Sequence, residues 1–319
     1  MASIIKNPPR IQTLFERGFE LRNDVGYKYE KLEPPAGWHQ EPAPCPDGVV
    51  RPHWHASALA GCPRQQMLKR AKLPSDGRPL NSEITFSFGN TVHALLEEFS
   101  SATVEETSLP SLVFDGRIQH IGAETGGCLH PGQDLALKAR ADWVFGIDDE
   151  FAIQDLKSEG THLFRVDAAK ESGAKDLAKD EHKLQIACNA IIQEGRGLVP
   201  KPVKYGVVTY CSKLAAKDRQ GRAYSKNEWK FDDQWFLITD ELRERVYHKI
   251  DELNDAWEQF ETDGTLPDRL PDQLMPWGTL STHFLCTPRG KDDDRGKYCE
   301  MRSVCFSLPT SDSEDPDSL

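Results

Sequence analysis

Apolar and polar positions along the chain change period twice. An N-terminal arm, residues 1–53, carries one short helical pattern (Ile11, Leu14, Phe15, Phe19) and then Pro-rich sequence around Glu33-Pro-Pro and Pro42-Ala-Pro. Helical spacing follows: a segment from Ser57, read as a serine N-cap, through Lys72, and a second helix with Phe88, Val92, Leu95, Leu96 and Phe99 on one face. The pattern then alternates, predicting strands at 111–121, 134–147 and 150–157, the last two joined by the tight Gly146-Ile-Asp-Asp-Glu connection. A helix over 180–194, strands at 205–212 and 228–239, and a long acidic helix over 240–262 complete the pattern. The order of elements predicts an α/β fold, a mixed central sheet flanked by helices. Residues 307–319 are short, acidic and rich in Ser and Pro, which predicts a disordered tail.

The strand pair 134–147 and 150–157 carries the sharpest chemistry. Residues two apart on a strand share a face, so Asp155 and Lys157 project together. If the register brings Asp142 beside them, two carboxylates and an ammonium occupy one site. Such a set suits a magnesium-dependent phosphodiesterase, with hard oxygens for the cation and a lysine to orient the attacking water. The tripeptide alone also reads as a solvated face. Phe151, Ile153 and Leu156 make this strand apolar, however, and polar groups at its end are costly without a partner. His93 shares a helix face with Gly89 and Glu97, and Gln185 stands beside an apolar helical stripe. Neither is informative by itself.

The chain has 319 residues and 38% hydrophobic content, enough to bury a core without staples. No run of eighteen apolar residues and no signal peptide is evident, which predicts a cytoplasmic protein. A net charge of −12 argues at face value against a nucleic-acid partner. Its location reverses that inference. Residues 240–272 hold eleven acids and four bases, and Asp312 to Asp317 hold four acids and no base. Residues 138–230 carry seventeen bases against fourteen acids, and 51–75 carry five bases and no acid, so a basic groove is permitted.

Eight cysteines in such a chain are not read as a disulfide framework. Cys286, Cys299 and Cys305 lie close together near the end and, with Cys62, offer four thiolates for zinc or a 4Fe-4S cluster. Cys188 and Cys211 fall in apolar runs and read as inert and buried; Cys45 and Cys128, in loop-like sequence, read as free thiols.

In order along the chain, Ser57-Ala-Leu-Ala-Gly-Cys62-Pro-Arg64, Phe88-Gly-Asn-Thr-Val-His93, Ala141-Asp142, Asp155-Leu-Lys157, Gln185 and the C-terminal cysteines resemble a PD-(D/E)XK nuclease of the RecB-like branch. Specifically, they resemble the iron-sulfur exonucleases of the CRISPR-adaptation family and their phage-encoded relatives. The resemblance implies a restriction-endonuclease-like domain over 54–306, with the N- and C-terminal segments joined at an iron-sulfur cluster. By that resemblance His93, Asp142 and Asp155 would ligate Mg²⁺ or Mn²⁺, and Lys157 would position the water. Gln185 would contact the scissile strand or orient the lysine, although the tyrosine of the family's Gln-x-x-x-Tyr motif is Asn189 here. Cys62, Cys286, Cys299 and Cys305 would hold a 4Fe-4S cluster, with zinc the alternative occupant. The implied activity is metal-dependent exonucleolytic hydrolysis of DNA from free ends, of single strands and with 5′→3′ polarity favoured. Phage or bacterial DNA recombination, repair or processing would be its setting, and a recombinase or helicase a possible partner. A DNA-end-binding or recombination accessory protein on the same scaffold is the competing reading.

Overall fold

A computed structural model describes residues 53–59, 61–75, 89–93, 95–96, 118–128, 136–147, 150–158, 178–195, 202–211, 231–268, 273–274, 280–281, 299 and 301–308, with residues 16, 19, 20, 84 and 87. The chain divides into two compact units, one of residues 1–57 and 89–246 and one of 58–88 and 247–319.

Among the described residues, the first unit is a six-stranded mixed sheet with helices. Its strands are β1 (His53–His55), β2 (Ile118–Cys128), β3 (Ala136–Ile147), β4 (Glu150–Ser158), β5 (Val203–Cys211) and β6 (Phe231–Leu237). β2 and β4 run antiparallel to β3, β6 antiparallel to β5, and β1–β3 and β4–β5 are parallel. The β3–β4 hairpin closes at Ile147 opposite Glu150, as the sequence predicts. Parallel pairing of β4 with β5 requires a crossover, and helix α2 (Asp180–Gly195) lies on that connection and packs on β5, β3 and β4. β4 is buried continuously from Phe151 to Leu156, and β5 is buried at all but Lys204. Strands covered on both faces lose the polar alternation of a half-exposed sheet.

Two side chains lock α2 to its neighbours. Arg243, near the start of helix α3 (Asp240–Asp263), donates to both Glu194 carboxylate oxygens at 2.7 and 2.9 Å and to the Val203 carbonyl at 2.8 Å. Glu194 accepts the Val203 N–H at 2.6 Å, so one bidentate pair joins the end of α2, the start of β5 and the start of α3. Thr239 Oγ1 accepts the Leu242 N–H at 3.2 Å and satisfies one of the orphan donors at the start of α3. Leu242, Val246, Ile250 and Leu253 form the buried helical stripe of α3. The division between the two units falls inside this helix.

In the second unit the early helix is shorter than predicted. Helix α1 runs Pro63–Arg70, while Ser57 lies in a 3-10 turn at Ala56–Ala58 and caps nothing there. Cys62 occupies the N-cap with extended backbone, and Pro63 follows, where its missing N–H has no helical partner to lose. Arg64 is fully buried and donates to the carbonyls of Pro267 at 3.0 Å, Leu308 at 3.1 Å and Cys305 at 3.4 Å. It thereby ties helix α4 (Arg302–Ser307) and the segment after α3 to α1. Met67, Leu68, Leu266 and Met301 are buried in the same unit.

Other expectations differ in detail. The first strand is described over 118–128, so Cys128 ends a strand and is not in a loop. On the helical residues 89–93 and 95–96, Val92 and Leu96 are buried but Leu95 is 39% exposed. Phe88, Phe99, Cys45, Cys286, residues 1–15 of the arm and the tail from 309 lie outside the described residues. No described helix is long and apolar enough to cross a membrane.

Candidate active site

The polar centre of the first unit forms where two strands part. β3 pairs with β4 only from Trp143 opposite Gln154 to Ile147 opposite Glu150, while its other end pairs with β1 at Ala136–Lys138. Asp142 falls in the interval between these stretches. Its carboxylate Oδ2 accepts the Leu156 N–H at 2.6 Å, so a side chain satisfies the donor that the strand ladder leaves. Asp142 and Asp155 are 8% and 3% exposed, and two carboxylates therefore meet with little water.

Lys157 and Gln185 close the arrangement. Lys157 Nζ lies 2.5 Å from Asp155 Oδ2 and donates to Gln185 Oε1 at 2.9 Å. Gln185 Nε2 in turn donates to Asp155 Oδ1 at 3.3 Å, which fixes the amide orientation through its partners. No hydrogen-bond donor is aligned on Asp155 Oδ2, although the Lys157 ammonium is its near neighbour. Burial pushes the Asp155 carboxyl above the ordinary carboxylate range. Lys157 pulls it back, and the Asp142 charge pushes it further up. His93 reaches the same place from its helix, with Nδ1 3.7 Å from Asp142 Oδ2. Gly89, one turn earlier, lets that helix approach β4: a Cβ there would lie 3.1 Å from Ser158 Oγ.

Thus the first unit brings His93, Asp142, Asp155, Lys157 and Gln185 together. Among the described residues no three His, Cys, Asp or Glu side chains already converge on one ion position. The donor set nevertheless fits a hard divalent cation: two buried carboxylates and an imidazole, with one buried carboxylate oxygen lacking an aligned donor. A cation at Asp155 would offset the repulsion between Asp142 and Asp155 that raises the carboxyl.

The second unit holds the cysteines. Cys62, Cys299 and Cys305 are all reduced and buried. Burial raises the Cys299 thiol, the Met301 N–H lowers it, and the thiols of Cys62 and Cys305 raise it further, so the three share one electrostatic neighbourhood. The soft thiols at a helix N-cap and at α4 fit zinc or an iron-sulfur cluster in their donor chemistry, while among the described residues no three of them converge on one ion position. Cys188 and Cys211 are buried in the first unit as expected, and burial pushes the Cys188 thiol up, which keeps it protonated and inert.

Sequence reasoning assigned no role to three residues. Arg64 ends the Ser57–Arg64 motif of the resemblance but had no role there, because its carbonyl partners stand more than 200 positions away. Tyr210 and His182 form a buried pair, with the phenol oxygen 2.9 Å from His182 Nδ1, across 28 positions of sequence between a helix and the strand that follows it. No spacing pattern could have linked either one to the site.

No family model matches the chain, and no curated protein matches it. Two solved structures are similar at low level. One, described as the crystal structure of SSO0001, is 13% identical and covers 79% of this chain and 87% of its own, with a TM-score of 0.35. The other is an alkaline exonuclease (LHK-Exo) from Laribacter hongkongensis, 11% identical, covering 66% of this chain and 93% of its own, with a TM-score of 0.36.

Proposed function

We propose that the chain is a metal-dependent nuclease that hydrolyses DNA phosphodiesters from free ends. The observation that carries this reading is the buried Asp142, Asp155, Lys157 and Gln185 network at the fork of β3 and β4, because a carboxylate pair so placed is unfavourable unless a cation joins it. His93, Asp142 and Asp155 would hold Mg²⁺ or Mn²⁺. When bound, that cation supplies Lewis-acid polarisation of the phosphate and lowers the pKa of a water.

The chain's own residues do the remainder. Gln185 Oε1 accepts from the Lys157 ammonium at 2.9 Å, and Asp155 Oδ2 lies 2.5 Å from it, so the ammonium is held in the site in a fixed direction. Lys157 then orients the attacking water and offsets negative charge as it grows on the phosphate oxygens. Asp142, engaged by the Leu156 N–H, keeps its carboxylate fixed in direction. Single-stranded ends are the preferred substrate in this reading, with 5′→3′ polarity. Cys62, Cys299 and Cys305, with Cys286, would hold a 4Fe-4S cluster that pins the early helix to the end of the chain; zinc is its competitor for the same thiols. Its role is structural, since no cysteine lies among the residues gathered around Asp155.

The test is an oligonucleotide labelled at one end, offered as a linear and as a circular single strand with Mn²⁺ or Mg²⁺. Degradation of the linear strand alone, lost in Lys157→Ala and Asp142→Ala, is the expected result. Equal degradation by all three proteins means contamination, and cutting of the circle removes the requirement for an end. Binding without cleavage by the native protein supports the accessory reading.

A further inference from the structure

The Tyr210 hydroxyl joins the start of α2 to the strand pair that carries the site. Tyr210 is fully buried on β5, where the parallel register sets it beside Lys157 of β4, and paired residues share a sheet face. Its phenol oxygen accepts the Lys179 N–H at 3.0 Å and lies 2.9 Å from His182 Nδ1. The Lys179 carbonyl accepts the first N–H groups of the helix, from His182 and Lys183, each at 3.1 Å, so Lys179 stands at the N-cap. One hydroxyl thus contacts the cap and the first turn together. Gln185 follows His182 by three residues, which puts the two on one side of the helix.

We propose that Tyr210 is a positioning residue for the reaction, acting through Gln185 on Lys157; the inference rests on the nuclease reading above. Its contacts set how far the first turns of α2 stand from β4 and β5, and the bond from Lys157 Nζ to Gln185 Oε1 spans that same gap. Loss of the hydroxyl leaves the Tyr210 ring and its packing in place but releases both the Lys179 N–H and His182. A shift of the helix start by a fraction of an ångström lengthens the Gln185 bond and lets the ammonium turn away from its direction. Displacements on the 1 Å scale at such groups cost about 100-fold in rate.

Two measurements test this on the full chain, comparing Tyr210→Phe, Gln185→Ala and the double variant. In metal-free protein, acylation of Lys157 by acetic anhydride is followed by peptide mass spectrometry. The expected result is a several-fold faster modification of Lys157 in each single variant, with no further rise in the double variant. With metal and single-stranded DNA, Tyr210→Phe is expected to lower kcat about 10-fold with KM within about twofold, and the double variant to match Gln185→Ala. Unchanged Lys157 modification in folded Tyr210→Phe, or effects that multiply in the double variant, overturn the proposal. His182→Gln, which leaves the Lys179 contact intact, carries the same expectations should Tyr210→Phe fail to fold. A native protein that cleaves no DNA refutes the nuclease reading, whereas the acylation rates still decide the role of Tyr210.

Discussion

The two units each bring titratable side chains into burial, and they do so by opposite physics. The first places charged carboxylates where water is scarce and leaves the repulsion between Asp142 and Asp155 partly uncompensated, with burial raising the Asp155 carboxyl despite Lys157. The second holds Cys62, Cys299 and Cys305 in one electrostatic neighbourhood, with Cys299 shifted toward its neutral thiol, and the Nη atoms of its buried Arg64 donate to three backbone carbonyls. A charged centre that stays unsatisfied is the one the proposal assigns a small hard cation. A neutral thiol centre is stable while protonated and takes a metal only by releasing protons. In the proposed reading, the contrast separates a site that reacts from one that holds the chain together.

The largest effect expected within this contrast is on activity. Lys157→Ala and Asp142→Ala are each predicted to lower the rate of strand degradation at least about 1000-fold, because the first removes the ammonium aimed at the transition state and the second a ligand of the proposed cation. Far-UV circular dichroism of the same variants below their melting temperatures should match that of the native protein, which distinguishes lost chemistry from lost folding.

Changes in the second unit should show the reverse balance. Arg64→Met leaves three carbonyls without their donor, and the predicted loss is about 2–4 kcal/mol of stability. Chemical denaturation measures it. Activity per folded molecule should be retained, and a variant as stable as the native protein would remove Arg64 from the account.

A smaller effect follows from pH. The folded-state carboxyl of Asp155 lies above its unfolded value, so the stability it contributes is complete below about pH 3.8 and is lost as pH rises through the folded value. In chelator, Asp155→Asn should therefore gain melting temperature relative to the native protein at pH 8 and gain less at pH 5. Added Mg²⁺ should close the gap at pH 8 by stabilising the native protein alone. A gap that is independent of pH contradicts the assignment of strain to this carboxyl.

Smallest of all should be Gly89→Ala. Helix propensity gains about 1 kcal/mol, and the close contact with Ser158 Oγ opposes it, so stability should stay within about 1 kcal/mol. Mn²⁺ affinity is predicted to fall a few-fold as the turn carrying His93 moves outward, which isothermal titration measures.

The sequence was most legible where one periodicity decides an element. The β3–β4 hairpin, α2, β5, β6 and α3 fall within a few residues of the predicted bounds, because alternation and the 3.6-residue stripe survive in them. Asp155 and Lys157 share a face for the same reason. The helix start at Pro63 was misplaced at Ser57, since a serine in a 3-10 turn carries the same local signal as an N-cap. The fork at Asp142 depends on where strand pairing stops, and Arg64 and Tyr210 act through partners that no local pattern records. The meeting of His93, Asp142 and Asp155 was legible through the resemblance alone and through no local pattern.

The central claim, that the carboxylate centre and not the thiol centre recruits the catalytic cation, is tested most directly by Mn²⁺ binding followed by electron paramagnetic resonance. Native protein and Cys299→Ala are expected to bind one Mn²⁺ with similar affinity, while Asp155→Asn and Asp142→Asn lose it by at least about tenfold. Retained Mn²⁺ binding in folded Asp155→Asn and Asp142→Asn would contradict the account.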